Sequence, residues 1–508
     1  MKKNRRIDEV FLASRLTLAA FAGAISYLAY PRPGLWPIIF VSVALIFVSV
    51  RGATLPRAFV VGFTAGFTFF ASQCWWISQY LGPLPLVALS FLQALFVAAG
   101  LTVFEAVRRR VQHEWVQALL FASLWTAREW VSTHWPYGGF PWSRLAMSQA
   151  DSPLSGWVYF GGLSLLTFAM ALMAALAVVY LPKLFKTQTR MPALRVLAAA
   201  LGLLFLVPAL VPSTQGEGEK YRVAGIQGNA NAGLFANSVR GSILGKHLKV
   251  TEDLLKQKVD GVKLVVWPEN ASDINPLNDP AIANRLDRLV SQQLNVPLIF
   301  GTITSDNNDI YNSSLIWKPG QGITDQYDKK RPVPFAEFVP DRDFWYPLAP
   351  DLIGLITHGY TFGTRDPIFE ADSHRFGVLI CFEIAVDEIA QSIVDSGAEA
   401  IISQTNNADF GHSDEAFQQI AIAKLRSIET GLPLINVSTT GPSGAFSGSG
   451  KTLNLVTAFE PHAFVADLPL RKSDTPAMGL GRYFDVFNVM ACAILVLILE
   501  WRKKRRSA

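Results

Sequence analysis

"RFGVLICFEIAVDE", residues 375–388, closes an apolar run on a cysteine and turns acidic two residues later. Residues 376–380 have the bulky, β-branched composition of a strand buried on both faces, and the run stops at Cys381. A single thiol in such a place is ordinarily a small buried hydrophobe. It becomes a chemical group only if other strands deliver partners to it. Two other stretches end in the same manner. In "LVVWPEN", residues 264–270, Pro268 holds Trp267 extended and leaves Glu269 just past the strand. In "DQYDKKRPVPFAEFVP", residues 325–340, Lys329 and Lys330 precede a proline-punctuated loop that carries Glu337. Polar residues at strand ends are where α/β folds hold their sites, because the strand fixes position while the turn exposes the side chain. A carboxylate, an ammonium and a thiol together supply a base, an anion stabiliser and a nucleophile for acyl transfer. A nearby lysine is expected to favour the thiolate. Taken singly, Glu269 could cap a helix, the lysines could be a solvated pair, and Glu337 could satisfy loop amides.

Composition sets the surroundings. The chain has 508 residues, half of them hydrophobic, with a mean hydropathy of +0.28, which predicts membrane spans. Cys74, Cys381 and Cys492 lie far apart, so no disulfide framework follows, and Cys74 and Cys492 read as packing residues. Seven histidines without HxxxH or CxxC spacing give no zinc site. Apolar windows long enough to cross the roughly 30 Å hydrocarbon layer recur at roughly 12–30, 35–50, 58–81, 84–106, 116–133, 157–181 and 194–212, with one more at roughly 484–501. Basic residues alternate between the loops. Lys2, Lys3, Arg5 and Arg6, then Arg51 and Arg57, Arg108 to Arg110, Lys183, Lys186 and Arg190, and finally Arg502 to Arg506 all fall on one side. The positive-inside rule makes that side, and both termini, cytoplasmic. The pI near 9.0 is then topology rather than nucleic-acid binding. Seven crossings place the polar stretch after residue 214 on the outer face of the membrane. The expected organisation is a transmembrane bundle over 1–214, an α/β domain over 215–475, and a last span with a basic tail over 476–508. Within the domain, strand-like runs such as "YRVAGIQGN", "PLIFGTI", "SSLIW", "EAIISQTN" and "LPLINVSTTG" alternate with helices near 242–257, 279–293, 385–396 and 415–430. Arg128 and Glu129, near the outer end of the fifth window, read as a snorkelling pair.

"WPEN", "YDKKRPVPFAEFVP" and "CFE", in that order, resemble the Glu-Lys-Cys triad motifs of the nitrilase superfamily. With apolar windows on both sides, the whole chain is similar to the bacterial apolipoprotein N-acyltransferase family. The likeness includes "GGFPWSRLAMSQ" at 138–149, "QGN" at 227–229, "FGHS" at 410–413 and "KLRSIETGLP" at 424–433. The resemblance implies a polytopic helical bundle of about eight spans carrying a nitrilase-like αββα sandwich. It implies Cys381 as nucleophile, Glu269 as general base and Lys329 as oxyanion stabiliser, Lys329 being two residues after Tyr327 and eight before Glu337. Glu337 matches a further essential acid that holds the lysine and thiol in place, and Glu383 an acidic position just after the nucleophile. The sequence departs from the family where Phe382 replaces the usual Tyr, and where Phe235 or Ala236 stands in place of an expected Trp. The implied reaction moves an acyl chain from a membrane phospholipid to Cys381, then to the α-amine of a diacylglyceryl-cysteine on an apolipoprotein. It would occur at the outer face of the cytoplasmic membrane without metal, cofactor or nucleic acid. A membrane-anchored amidase would use the same three residues. A lipoprotein-binding or transport protein would not need them, and transport would call for broken helices or ionisable residues at mid-membrane.

Overall fold

The computed structural model describes residues 2–212, 218–234 and 236–507, with the side chains of 2–9, 496 and 499–507 outside that description. Phe235, the expected boundary at 214/215, and the side chains of the two terminal basic clusters therefore lie outside the described residues. The chain divides into two units, Met1–Val211 with Gly479–Ala508, and Pro212–Met478.

The first unit is helical. In chain order come α1 (Lys2–Ile25), α2 (Ile38–Val50), α3 (Leu55–Gln73), the short α4 (Ser78–Leu81), α5 (Pro83–Arg108), α6 (Glu114–His134), α7 (Val158–Tyr180) and α8 (Thr187–Leu206), with a last helix at Phe484–Ser507. Among the described residues, five segments are long and apolar enough to cross a membrane: Val10–Ala29, Leu55–Gln73, Pro83–Arg108, Ser155–Phe185 and Thr187–Leu210. The second expected window coincides with α2, which is apolar but only 13 residues long. The fifth coincides with α6, which includes Glu114, Arg128 and Glu129. Arg128 and Glu129 do not snorkel. Both are buried; Arg128 lies 4.5 Å over the Trp125 ring, and Glu129 accepts the Leu145 N–H at 3.0 Å. Small residues let α3 and α5 approach closely: a Cβ on Gly66 would sit 2.9 Å from the Ala94 backbone, and one on Gly62 3.0 Å from that of Ala98. Glu105, fully buried, accepts two 2.7 Å bonds from Arg108, so part of this basic cluster is neutralised inside the unit.

The second unit is built from two six-stranded sheets, ordered β12-β1-β2-β3-β4-β5 and β11-β10-β9-β8-β7-β6. The first combines β1 (Lys220–Gln227), β2 (Leu264–Val266), β3 (Leu298–Asp306), β4 (Asp309–Lys318) and β5 (Gly322–Asp328) with β12 (His462–Pro469). The second combines β6 (Ile368–Ala371), β7 (His374–Ile380), β8 (Ala400–Thr405), β9 (Leu434–Ser438), β10 (Ser443–Phe446) and β11 (Thr452–Val456). In each sheet three strands run parallel, β1-β2-β3 and β7-β8-β9, with antiparallel strands outside them.

Strand alternation explains the layering. Val223, Leu264, Val266, Ile299 and Ile316 of the first sheet share one core with Val378, Ile380, Ile402 and Ile435 of the second. Ala224, Val265, Trp267 and Phe300 point the other way. They pack with Leu244, Leu248 and Leu254 of α9 (Ser242–Lys256) and Leu286 of α10 (Pro280–Arg288). Two short helices, α11 (Arg342–Trp345) and α12 (Pro350–Ile353), sit in the long loop after β5. α13 (Asp387–Asp395) and α14 (Glu415–Thr430) alternate with β7, β8 and β9 in sequence, completing the αββα sandwich.

Candidate active site

Each of the three expected groups follows directly on a strand. Glu269 lies three residues after β2, Lys329 one residue after β5, and Cys381 one residue after β7. Glu269 and Lys329 thus come from one sheet and Cys381 from the other. Cys381 has a φ of +54° and opens a short 3-10 turn, Cys381–Ala385. Left-handed backbone is uncommon for a non-glycine residue, and at the end of a strand it turns the chain sharply under the thiol.

Lys329 is almost wholly inaccessible, its side chain 1% exposed, and its Nζ lies 2.8 Å from Glu337 and 3.7 Å from Glu269 Oε1. Asn312 of β4 donates through one amide nitrogen to Glu269 Oε1 at 2.7 Å and to Glu337 Oε1 at 3.0 Å. The Asn406 N–H, just past β8, donates to Glu269 Oε2 at 2.7 Å, and the Val333 N–H to Glu337 Oε2 at 2.7 Å. Both carboxylates are therefore fixed by donors on two sides, with the ammonium between them.

Electrostatics follow from this packing. Burial alone would push the Lys329 ammonium down, but the Glu337 and Glu269 carboxylates outweigh it and hold Lys329 above the ordinary lysine range. Burial pushes Glu269 up, against the pull of Lys329 and the Asn312 and Asn406 hydrogen bonds. Burial also raises the Cys381 thiol, the Glu269 charge adds to it, and Lys329 opposes without prevailing. Lys329 does favour the thiolate, as expected, but desolvation and the Glu269 carboxylate outweigh it.

Glu383, two residues after Cys381, is fully buried and accepts four hydrogen bonds. Its Oε1 accepts the Tyr327 hydroxyl at 2.8 Å, the Lys330 N–H at 2.8 Å and the Arg331 N–H at 3.1 Å. Its Oε2 accepts the Ile380 N–H at 3.0 Å. It fastens the lysine loop to the nucleophile turn. Phe382 is half-buried at the second position of that turn. At the turn's other end, buried Arg426 of α14 donates to the Ile384 and Ala385 carbonyls, both at 2.8 Å, and pairs with Asp387 at 2.5 Å and with Glu429.

Sequence reading missed Asn312, Asn406, Arg426 and Glu415. Asn312 had a signal in "NSS", residues 312–314, three polar residues inside a strand and all buried. Arg426 sits in "KLRSIETGLP", a charged position on an otherwise buried helix. Glu415 is buried, accepts Asn407 Nδ2 at 2.8 Å, and is pushed up to about 8 chiefly by burial.

The family model for the carbon-nitrogen hydrolase domain matches residues 222–470, and that for the apolipoprotein N-acyltransferase N-terminal domain matches residues 22–176. The apolipoprotein N-acyltransferase of Azotobacter vinelandii is 30% identical, the match covering 97% of this chain and 95% of that protein. The one from Vibrio parahaemolyticus is 29% identical, covering 96% and 97%. Among solved structures, an amidase from Nesterenkonia aligns with 15% identity and a TM-score of 0.39 over 54% of this chain and all of its own. Two matched domains in one chain, and relatives aligned almost end to end, show that this acyltransferase belongs to the apolipoprotein N-acyltransferase family.

Proposed function

We propose that Glu269, Lys329 and Cys381 carry a two-step acyl transfer from a membrane phospholipid to the N-terminal diacylglyceryl-cysteine of an apolipoprotein. The observation that carries this reading is the buried Lys329 ammonium, 2.8 Å from Glu337 and 3.7 Å from Glu269, at strand ends that also deliver Cys381. In the first step Glu269 takes the thiol proton as sulfur attacks the ester carbon. Lys329, with a backbone N–H of the turn at Phe382, stabilises the oxyanion. The C–O bond breaks, Glu269 returns the proton to the departing oxygen, and a lysophospholipid leaves a thioester on Cys381. In the second step the α-amine attacks that thioester and loses a proton to Glu269. The C–S bond breaks, and sulfur recovers the proton. Glu337 is a positioning residue, since it holds Lys329 and shares the Asn312 amide with Glu269.

The proposed setting is the bacterial cytoplasmic membrane, with eight crossings, both termini cytoplasmic and the α/β unit on the outer face. Supporting it, all eight apolar windows fall within or largely overlap helical segments of the first unit, and the basic loops alternate as the positive-inside rule requires. Both substrates are lipids, and extracting an acyl chain into water costs about 0.8 kcal/mol per methylene. A site held at the interface avoids that cost. The proposed organisation is a bundle over 1–214, a catalytic domain over 215–475 and a closing span over 476–508.

The test uses purified full-length protein in phospholipid vesicles. Intact-protein mass spectrometry is expected to find one hydroxylamine-sensitive acyl adduct, absent from Cys381→Ala and transferred to an added diacylated lipopeptide. An adduct on Cys381→Ala would remove the assigned nucleophile. Release of the acyl group only as free fatty acid would favour a hydrolase.

A further inference from the structure

A cavity of about 390 Å³ adjoins the base, its apolar wall including Ile243 and Ile303 and its polar wall Asn270, Asp273, Asn275 and Asp409, with Asn406 beside them. This is a size suited to a small ligand or a short peptide segment. Two of its residues are bound to the chemistry: Asn270 is the next residue after Glu269, and Asn406 supplies the N–H that Glu269 Oε2 accepts. The wall presents acceptors. Asn270 Oδ1 is buried without a hydrogen-bond partner, in a residue whose φ is +53°, an arrangement that favours an incoming donor. Asp409 is exposed and receives only a long 3.4 Å contact from Asn406 Nδ2. Asp273 accepts three backbone N–H groups around the start of α9. No lysine, arginine or histidine lines the cavity among the described residues.

The two substrates of the proposed reaction differ in charge where they are polar. A phospholipid donor brings a phosphate anion, which two carboxylates without a cation would repel. A diacylglyceryl-cysteine acceptor brings an α-ammonium followed by peptide N–H groups, all of them donors. We infer that this cavity is the acceptor subsite, holding the ammonium and first peptide units of the lipoprotein N-terminus against Asn270, Asp409 and Asn275. The α-nitrogen would then lie beside Glu269: the ammonium releases one proton to water before attack, and Glu269 takes the second as the C–N bond forms and passes it to the departing sulfur. This inference rests on the acyl-transfer reading of Glu269, Lys329 and Cys381.

The test separates the half-reactions. Full-length protein in phosphatidylethanolamine and phosphatidylglycerol vesicles is first followed for adduct formation on donor alone, then titrated with a diacylglyceryl-cysteinyl tetrapeptide. Asp409→Lys and the cavity-filling Asn275→Trp are each expected to raise the KM for the lipopeptide at least tenfold more than they change the rate of adduct formation. Asp409→Asn, which removes charge alone, is expected to raise that KM about threefold. The subsite is overturned if the lipopeptide KM of Asp409→Lys and Asn275→Trp stays within twofold of wild type, or if both half-reactions fall by the same factor. A wild-type protein that forms no adduct on donor alone would instead sink the acyl-transfer reading, before any lipopeptide is added.

Discussion

On the proposed mechanism, replacing Gly301 with alanine should slow acylation of Cys381 by about two orders of magnitude, although residue 301 has no side chain to take part in it. Gly301 lies in β3 directly under the loop that carries Glu269, and its N–H donates to the Pro268 carbonyl at 3.1 Å. A methyl group there would sit 2.5 Å from Asn270 N, 2.6 Å from Glu269 Cα and 2.8 Å from Pro268 O. All three atoms are backbone, so no side chain can swing aside. Ordinary contact begins at 3.4 Å, and the nearest atom must retreat by 3.4 − 2.5, about 0.9 Å. A shift of that size can stretch the 2.7 Å hydrogen bonds that place the Glu269 carboxylate to about 3.6 Å, beyond hydrogen-bond range, so they cannot all survive it. Misplacing a reacting group by about 1 Å costs on the order of 100-fold in rate, equivalent to about 2.7 kcal/mol of activation free energy. Strain of this kind also lowers stability by about 1–3 kcal/mol. The assay is the time course of the hydroxylamine-sensitive adduct on phospholipid alone, with thermal unfolding alongside. Gly245, exposed on α9 with nothing within 4 Å of a built Cβ, provides the control: Gly245→Ala should gain up to about 1 kcal/mol and acylate at the wild-type rate. Gly301→Ala acylating within threefold of wild type, with unchanged Tm, would refute the reasoning.

Glu383→Gln leaves one carbonyl oxygen where two carboxylate oxygens accept four donors; facing an amide NH2 toward a buried N–H should cost about 2 kcal/mol. Adduct formation should slow at least tenfold, while the apparent KM for phospholipid stays within threefold. Asn312→Ala removes a hydrogen bond that favours ionised Glu269, so the acid limb of the acylation pH profile should move to higher pH; a shift to lower pH would contradict the assignment. Glu415, pushed up to about 8 from 4.5, binds its proton more tightly folded than unfolded. Its contribution is whole below about pH 4.5 and is lost as pH rises toward 8. Chemical denaturation across that window should therefore show wild-type stability falling with pH, and Glu415→Gln should flatten the slope.

Much of the sandwich was legible because parallel central strands are apolar throughout: β3, β8 and β9 coincide with quoted runs, and α9 and α14 fall within two residues of their expected bounds. β6, β10, β11 and β12 were missed, and β5 was expected only as the strand end before Lys329. "GITDQYD" and "HAFVADLP" alternate charged with apolar residues over short lengths, which periodicity alone does not separate from loop. Motif order singled out Glu269, Lys329 and Cys381, but the amides that aim them were invisible. Asn406 acts through its backbone N–H, which any residue other than proline would supply. Asn312 acts through an amide whose importance depends on two carboxylates 43 and 25 residues away in sequence. The pull of Lys329 on the thiol was legible, but the larger opposing effect of burial was not, because burial is a property of the packed sandwich.

The two sheets meet at the chemistry through hydrogen bonds that no strand ladder provides: Glu383 joins β7 to the end of β5, the Asn406 N–H reaches the loop after β2, and Gln404 of β8 donates to the Trp267 carbonyl at 2.6 Å. Neither sheet alone holds a reactive set. On the proposed roles, a copy whose two sheets failed to join would leave Cys381 without Glu269 and Lys329, so the acyl transfer reports the packing of the whole sandwich rather than of either sheet.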